Sequence, residues 1–180
     1  MIYVVRHGET DLNKQGRLQG RQGIELNTRG IEQAEALRMQ LSSITFSHIY
    51  SSPQVRAIQT AEIITGKRAA IDPRLDVFDL GEADRLRRDE VKWKGLVPDP
   101  EIYKGVEDIN GFVIRVFDFM KELESNSGAR DVHILIAGHR CTTGCIGAYF
   151  EGMPDNGNIL KFSSNNGEYK SYTCKPIEEV

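Results

Sequence analysis

The first seven residues constrain the fold most strongly. Residues 1–5 form an apolar run rich in β-branched side chains, which is typical of a strand buried inside a sheet. Arg6 and His7 follow at once, and open α/β sheets place their ligand sites at the carboxyl ends of the strands. A guanidinium can hold an oxyanion through paired hydrogen bonds, while a neighbouring imidazole supplies a nucleophilic nitrogen. We therefore expect an anion site at the end of this strand.

Two further apolar runs also lead to an arginine or a histidine. Residues 47–50 lead into a segment that contains Arg56, and residues 131–137 lead into Gly138 and His139. Each run is followed by a predicted helix, and unpaired N–H groups at helix amino ends favour anions. If the three strands are parallel neighbours, cationic and proton-bearing groups converge on one spot, which predicts a phosphate site.

The other predicted elements are less informative. They are a helix from an N-cap at Thr28 to about Leu41, a helix from Ser52-Pro53 to Gly66, a helix over 112–123, a helix over 142–150, and strands near Phe162 and over 169–173 around an Asn165-Asn166-Gly167 turn. The segment that holds Trp93 and the mixed-charge run 85–92 is interpreted as a solvated helix or loop, with a lid that contacts substrate as the alternative.

Length and composition favour one soluble domain over residues 1–180. The net charge of −3 gives no general attraction to nucleic acid or to acidic membranes. No apolar run approaches the ~20 residues that span a bilayer, and the first apolar run is too short for a signal peptide. Three cysteines without a CxxC pair predict a reducing, cytoplasmic location and no metal site.

Several blocks of the chain resemble the histidine phosphatase superfamily, also called the phosphoglycerate-mutase-like family. The matching residues are Arg6-His7-Gly8-Glu9-Thr10, Asn13, Arg17-Leu18-Gln19-Gly20-Arg21, Leu26-Asn27-Thr28-Arg29-Gly30, Gln33-Ala34, Ser51-Ser52-Pro53, Arg56-Ala57, Gln59-Thr60-Ala61 and Ala137-Gly138-His139. The resemblance implies a three-layer α/β/α sandwich around a mostly parallel central sheet. It also leads us to expect a variable, lid-like segment around residues 82–110.

The resemblance also implies roles for individual residues. His7 is the expected nucleophile, Arg6 and Arg56 would grip the phosphoryl oxygens, and His139 would donate a hydrogen bond to the same group. Four further positions are expected to line the phosphate or the substrate: Thr10, Asn13, Gln19 and Gly20. No metal or other cofactor is expected, because the chain has no HExxH or Walker motif and arginines supply the positive charge.

Two positions depart from the family pattern. Val77 stands where the family usually carries a glutamate that acts as general acid, and valine cannot donate a proton. Asp79 and Glu82 are the candidate replacements, with Asp76 behind them. Arg140 follows His139 where a small or polar residue is common, so it is expected either to add an anion contact or to obstruct the pocket.

The sequence therefore predicts metal-independent hydrolysis of phosphomonoesters through a phosphohistidine. The expected substrate is a small phosphorylated metabolite. One alternative is a phosphoglycerate mutase, which the shortness of the chain disfavours. Another alternative is a catalytically weak phosphate-binding or regulatory protein, and the presence of Val77 in place of the usual acid favours it. The substrate and the oligomeric state stay open.

Overall fold

A five-stranded sheet organises the computed structural model of this chain, which describes residues 1–126 and 132–173. The strands of this sheet are β1 (Ile2–Arg6), β2 (His48–Ser51), β3 (Ala70–Ile71), β6 (Ile134–Gly138) and β7 (Tyr169–Tyr172). Two further strands, β4 (Trp93–Lys94) and β5 (Val97–Pro98), pair only with each other. The helices are α1 (Asp11–Lys14), α2 (Thr28–Gln40), α3 (Val55–Thr65), α4 (Ile109–Asn126) and α5 (Arg140–Glu151). Short 3₁₀ helices cover Pro73–Leu75, Gly81–Ala83 and Ile159–Phe162.

The strand order of the main sheet is β3-β2-β6-β1-β7. Strands β3, β2, β6 and β1 run parallel to one another, whereas β7 pairs with β1 in the antiparallel direction. In the register, Arg6 lies opposite Gly138 and Ser51 lies opposite Ala137. The carboxyl ends of β1, β6 and β2 are therefore level, as the expected convergence requires.

Helices cover both faces of the sheet because its central strands are apolar on both faces. One core cluster joins Ile2 and Val4 of β1 to buried side chains of α4 and α5. The other joins Val5 and Ala137 to buried side chains of α2 and α3. This alternation along the strands gives the three-layer α/β/α sandwich around a mostly parallel sheet that the resemblance implies.

Several element boundaries differ from the sequence predictions. The N-cap of α2 is Asn27, whose side chain accepts from the Gly30 amide, and Thr28 is the first helical residue. Helix α3 begins at Val55 after Gln54, so Ser52 does not cap it. Helix α5 begins at Arg140, directly after His139.

One further element prediction is wrong and another is confirmed. The prediction of a strand near Phe162 is wrong, since that residue ends a 3₁₀ helix packed on α5. The predicted stop at Gly66 is confirmed: this residue has a φ of 68°, a left-handed conformation that suits glycine. The amino end of the run predicted over 131–137 and the residue Cys174 lie outside the described residues.

The segment 82–110 forms turns and the small β4–β5 hairpin. Its residue Leu86 accepts a hydrogen bond from the Leu18 amide at 2.8 Å, which ties the segment to the loop after α1. That this segment acts as a lid stays a prediction. Within the described part of the chain, no helix is long and apolar enough to cross a membrane.

Candidate active site

The ends of three neighbouring strands bring the candidate residues together. The backbone amide of His7 donates to the Gly138 carbonyl at 3.0 Å, and that of Ser52 donates to the Ala137 carbonyl at 3.0 Å. The ring centroids of His7 and His139 lie 5.2 Å apart. The register of the sheet thus sets two imidazoles side by side.

The His7 ring is held in one tautomer. Its Nδ1 lies 2.7 Å from the Gly8 carbonyl oxygen, and because a carbonyl only accepts, Nδ1 must carry the proton. Its Nε2 has no hydrogen-bond partner among the described residues, and the ring lines a cavity. Burial, followed by the charges of Arg56 and Arg6, lowers the pKa of His7 well below its usual range. The ring is therefore neutral near pH 7, with a free lone pair on Nε2.

The loop after His7 is fixed by close backbone packing. A Cβ on Gly8 would lie 2.4 Å from the Gly30 carbonyl oxygen, so only glycine fits there. The Gly8 amide donates to Thr60 Oγ1 at 3.1 Å, and the Asn166 side chain donates to the His7 carbonyl at 3.0 Å. Contacts from distant parts of the chain therefore hold the imidazole in place.

Two arginines with unpaired nitrogens lie close to the histidines. Arg56, at the start of α3, is fully buried, and among the described residues its one hydrogen-bond partner is the Gly20 carbonyl, to which Nη2 donates at 2.9 Å. Arg6 donates through Nη1 to the Ser164 carbonyl at 3.1 Å. Burial is the main cause that lowers the pKa of each guanidinium to about 10, so both stay charged at neutral pH.

His139 precedes α5 and is also buried. Its Nε2 lies 2.7 Å from Ser52 Oγ, while Nδ1 has no partner among the described residues. Burial, followed by the charge of Arg56, lowers the pKa of His139 well below its usual range. A neutral imidazole at this point can donate one hydrogen bond to an anion and accept another from the serine.

The four expected lining residues divide into two pairs. Asn13 and Gln19 line the cavity. Thr10 is buried behind them: its hydroxyl caps α1 and donates to Gln19 Oε1 at 2.8 Å. Gly20 does not line the cavity, but its carbonyl holds Arg56 and its amide donates to Asp84 at 2.7 Å.

The cavity at these strand ends has a volume of about 160 Å³. Several buried donors lack a hydrogen-bond partner within residues 1–126 and 132–173. Arg6 Nε, Gln19 Nε2 and one ring nitrogen of His139 belong to residues of the cavity wall, whereas Nε and Nη1 of Arg56 belong to a residue that does not line the cavity. Buried polar groups are normally paired. A set of unpaired donors that includes two guanidinium groups fits a bound oxyanion.

The candidate acids do not lie on this cavity. Asp79 forms an ion pair with Arg21 at 3.4 Å, and its other oxygen accepts from the Gly81 amide. Glu82 accepts from the Lys104 amide at 3.0 Å. Asp76 accepts from Gln54 at 2.8 Å. Their neighbours Val77, Phe78 and Leu80 occupy the cavity wall instead.

Further arginines surround the mouth of the cavity. Arg140 and Arg88 both line it, and both lower the pKa of Arg6 through charge repulsion. Arg17 is a third lining cation, which donates to the Arg85 carbonyl at 3.0 Å. Among the described residues no group of three or more His, Cys, Asp or Glu side chains could hold a metal ion.

Several residues of this site carry no signal in the sequence. Ser164 and Asn166 act through contacts with residues that precede them by more than 150 positions, and no local pattern signals such contacts. Ser52 belongs to a matched block, but its bond to His139 could not be inferred. Arg88 and Trp93 line the cavity from a segment without a clear pattern.

The chain belongs to the histidine phosphatase superfamily (branch 1), whose family model matches residues 2–176. A relative named as a probable phosphoglycerate mutase GpmB, from Citrobacter koseri, is 30% identical over 171 residues, covering 85% of this chain and 75% of that protein. The corresponding protein of Proteus mirabilis is 31% identical over 167 residues, with the same coverage.

Solved structures agree with this assignment. The α-ribazole phosphatase from Shigella flexneri matches with a TM-score of 0.78 and 26% identity, covering 93% of this chain and 87% of that one. A mutant phosphoserine phosphatase from Entamoeba histolytica, in complex with phosphoserine, has a TM-score of 0.79 at 22% identity, with the same coverage, and supports the fold alone.

Proposed function

We propose that this protein hydrolyses small phosphomonoesters through a phosphohistidine on His7, without a metal ion. One observation carries the proposal: among the described residues, a neutral imidazole with a free Nε2 stands on a cavity that also holds unpaired donors of Arg6 and Gln19, and the charge of Arg56 acts on the same imidazole. Family membership and the phosphatase names among the structural neighbours support it.

The chemistry proceeds in two displacements. His7 Nε2 attacks phosphorus in line, the ester P–O bond breaks, and water later hydrolyses the N–P bond to release inorganic phosphate. Arg6 and Arg56 neutralise the non-bridging oxygens as charge shifts in the transition state. His139 donates a hydrogen bond to the same group, and Asn13 and Gln19 border it.

A cytoplasmic location, expected from the cysteines, belongs to this proposal.

The test is turnover of p-nitrophenyl phosphate with EDTA present throughout. Unmodified protein should release phosphate. When the reaction with ³²P-labelled substrate is quenched during turnover, the protein should carry an acid-labile label. His7→Ala should lose at least 10³-fold in kcat and carry no label, since the nucleophile is gone. His48→Ala removes an exposed imidazole elsewhere in the fold and serves as the control.

Three outcomes would count against the proposal. Undiminished turnover by His7→Ala would exclude the phosphohistidine. Loss of activity in EDTA that a divalent ion restores would exclude metal-independence. Phosphate binding without turnover of any ester would show that the protein binds phosphate but is not a phosphatase.

A second candidate function is phosphoglycerate mutase. Arg140 and Arg88 favour it, because two further cations beside Arg6 suit a substrate with a second anionic group, and the relatives carry that name. Arg140→Ala should then raise KM about tenfold for 3-phosphoglycerate but little for p-nitrophenyl phosphate, with Arg38→Ala as control. Equal effects on both substrates would assign Arg140 no anion contact, and interconversion of phosphoglycerates would establish the mutase.

A further inference from the structure

The cavity has two chemically different parts. One end holds the two histidines and Arg6. The rest of the wall is mostly apolar, with Val77, Phe78, Leu80, Trp93, Leu96 and Ile109 among its residues, and it also carries the cations Arg17, Arg88 and Arg140. An ester bound with its phosphoryl group at the histidines must therefore bring the group that it loses against apolar surface.

Trp93 gives this wall a flat face. It stands on the β4–β5 hairpin and is 39% exposed, and the guanidinium of Arg88 lies 5.7 Å from the centre of its ring. Exposed tryptophan beside a binding cavity offers stacking surface for a ring of the ligand. Arg88 adds a positive charge at the same place.

A carboxyl group that could protonate the departing oxygen is missing from the wall, as far as the described residues go. The carboxylates of Asp76, Asp79 and Glu82 are engaged elsewhere, as described above. The Cys141 thiol does line the cavity, but its sulfur accepts from the Phe78 amide at 3.4 Å, and burial raises its pKa. It is a poor acid for this purpose.

We propose that the substrates of this site are phosphate monoesters of aromatic hydroxyl groups. The inference rests on the proposed function. A phenolic hydroxyl has a pKa near 10, far below that of an alkyl alcohol, so its oxygen can leave without a proton donor. The pair of electrons of the broken P–O bond departs on an aryloxide, whose charge Arg88 and Arg140 offset and which then takes a proton from water. The ring lies against Trp93 and the apolar wall.

Phenyl phosphate and benzyl phosphate form the decisive pair, since both carry the same ring but differ in the acidity of the leaving hydroxyl. A positioned general acid contributes about 10²–10⁴-fold. Unmodified protein should therefore have a kcat/KM at least about 100-fold higher for phenyl phosphate. Comparable values for benzyl or glycerol phosphate would overturn the inference and leave the proposed function intact, whereas failure on every ester would strike the proposed function itself.

Val77→Glu tests the missing donor directly, because this side chain lies on the cavity wall. It should raise kcat for benzyl phosphate at least tenfold over Val77→Gln, which matches it in size but has no carboxyl proton. Equal benzyl turnover by the two folded variants would contradict the inference. Should the buried glutamate prevent folding, the ester pair measured on the unmodified protein decides alone.

Trp93→Ala tests the flat face. It should raise KM for phenyl phosphate about three- to tenfold, since a lost ring contact has that order of effect, and should raise KM for glycerol phosphate less, because glycerol has no ring to stack. Ile102→Ala, at a 53% exposed position of the same segment, is the matched control. An equal change in KM for both esters, or none, would remove Trp93 from substrate recognition.

Discussion

At the scale of single residues, the buried neutral histidines tie stability to pH. The pKa values of His7 and His139 are both lowered in the folded protein, so as pH falls through about 6.5 the unfolded chain binds protons first. The stabilising contribution is fully present above that pH and declines below it. Each histidine contributes a slope of up to about 1.4 kcal/mol per pH unit in the free energy of unfolding.

Urea unfolding at several pH values between 7.5 and 5.5 measures this slope. His7→Gln should reduce it by about half of the histidine contribution, because one buried imidazole is removed. His48→Gln, at an exposed position, controls for the loss of an imidazole that is not buried. If the slope is identical in His7→Gln and unmodified protein, His7 binds protons equally in the folded and unfolded states, and folding does not lower its pKa.

The residues at the strand ends were also the most predictable from sequence. Arg6, His7 and His139 follow apolar runs directly, and the register of parallel strands then determines that they meet. Asn166 and Ser164 could not be found this way, because their contacts with His7 and Arg6 depend on how β7 returns to β1.

At the scale of elements, Arg115 of α4 fixes the loop that forms one wall of the cavity. It donates to the carbonyls of Arg74 and Asp76 at 2.8 and 2.9 Å and to that of Val77 at 3.1 Å. Its Nε also pairs with Glu107 at 2.7 Å, both side chains being 18% exposed. These bonds turn the loop carbonyls toward α4.

Arg115→Met should therefore lower the free energy of unfolding by about 2–3 kcal/mol. Breaking a buried ion pair costs about 3–5 kcal/mol, and the partial exposure of this pair reduces that figure. Urea denaturation checks the value, with Lys121→Met as a matched change at an exposed site on the same helix. A loss below 1 kcal/mol would show that the loop is held without Arg115.

The same loop explains why the replacement acid could not be identified from sequence. Asp79 would share a face with Val77 in a regular extended segment, but this loop is irregular. Here Arg21 binds Asp76 and Asp79, both more than 50 positions away, and directs their carboxylates away from the cavity. Side-chain direction in an irregular loop is determined by such distant partners.

At the scale of the whole molecule, the resemblance to a known family implied the three-layer sandwich and its mostly parallel sheet. The pattern of apolar runs located three buried strands and the helices that follow two of them. The short strands β3, β4 and β5 have two residues each and carry no periodic pattern. The segment that completes the cavity was for that reason beyond prediction.

The central position of β1 has a consequence for the order of events during synthesis. Ile2 pairs with Ile134 on one side and with Tyr172 on the other. At about 5–20 residues per second on the ribosome, the first strand waits on the order of ten seconds for its parallel neighbour. During that time β1 stays without its neighbouring strands, so the binding cavity can form only after residues 134–160, which supply β6 and part of the cavity wall, have been synthesised.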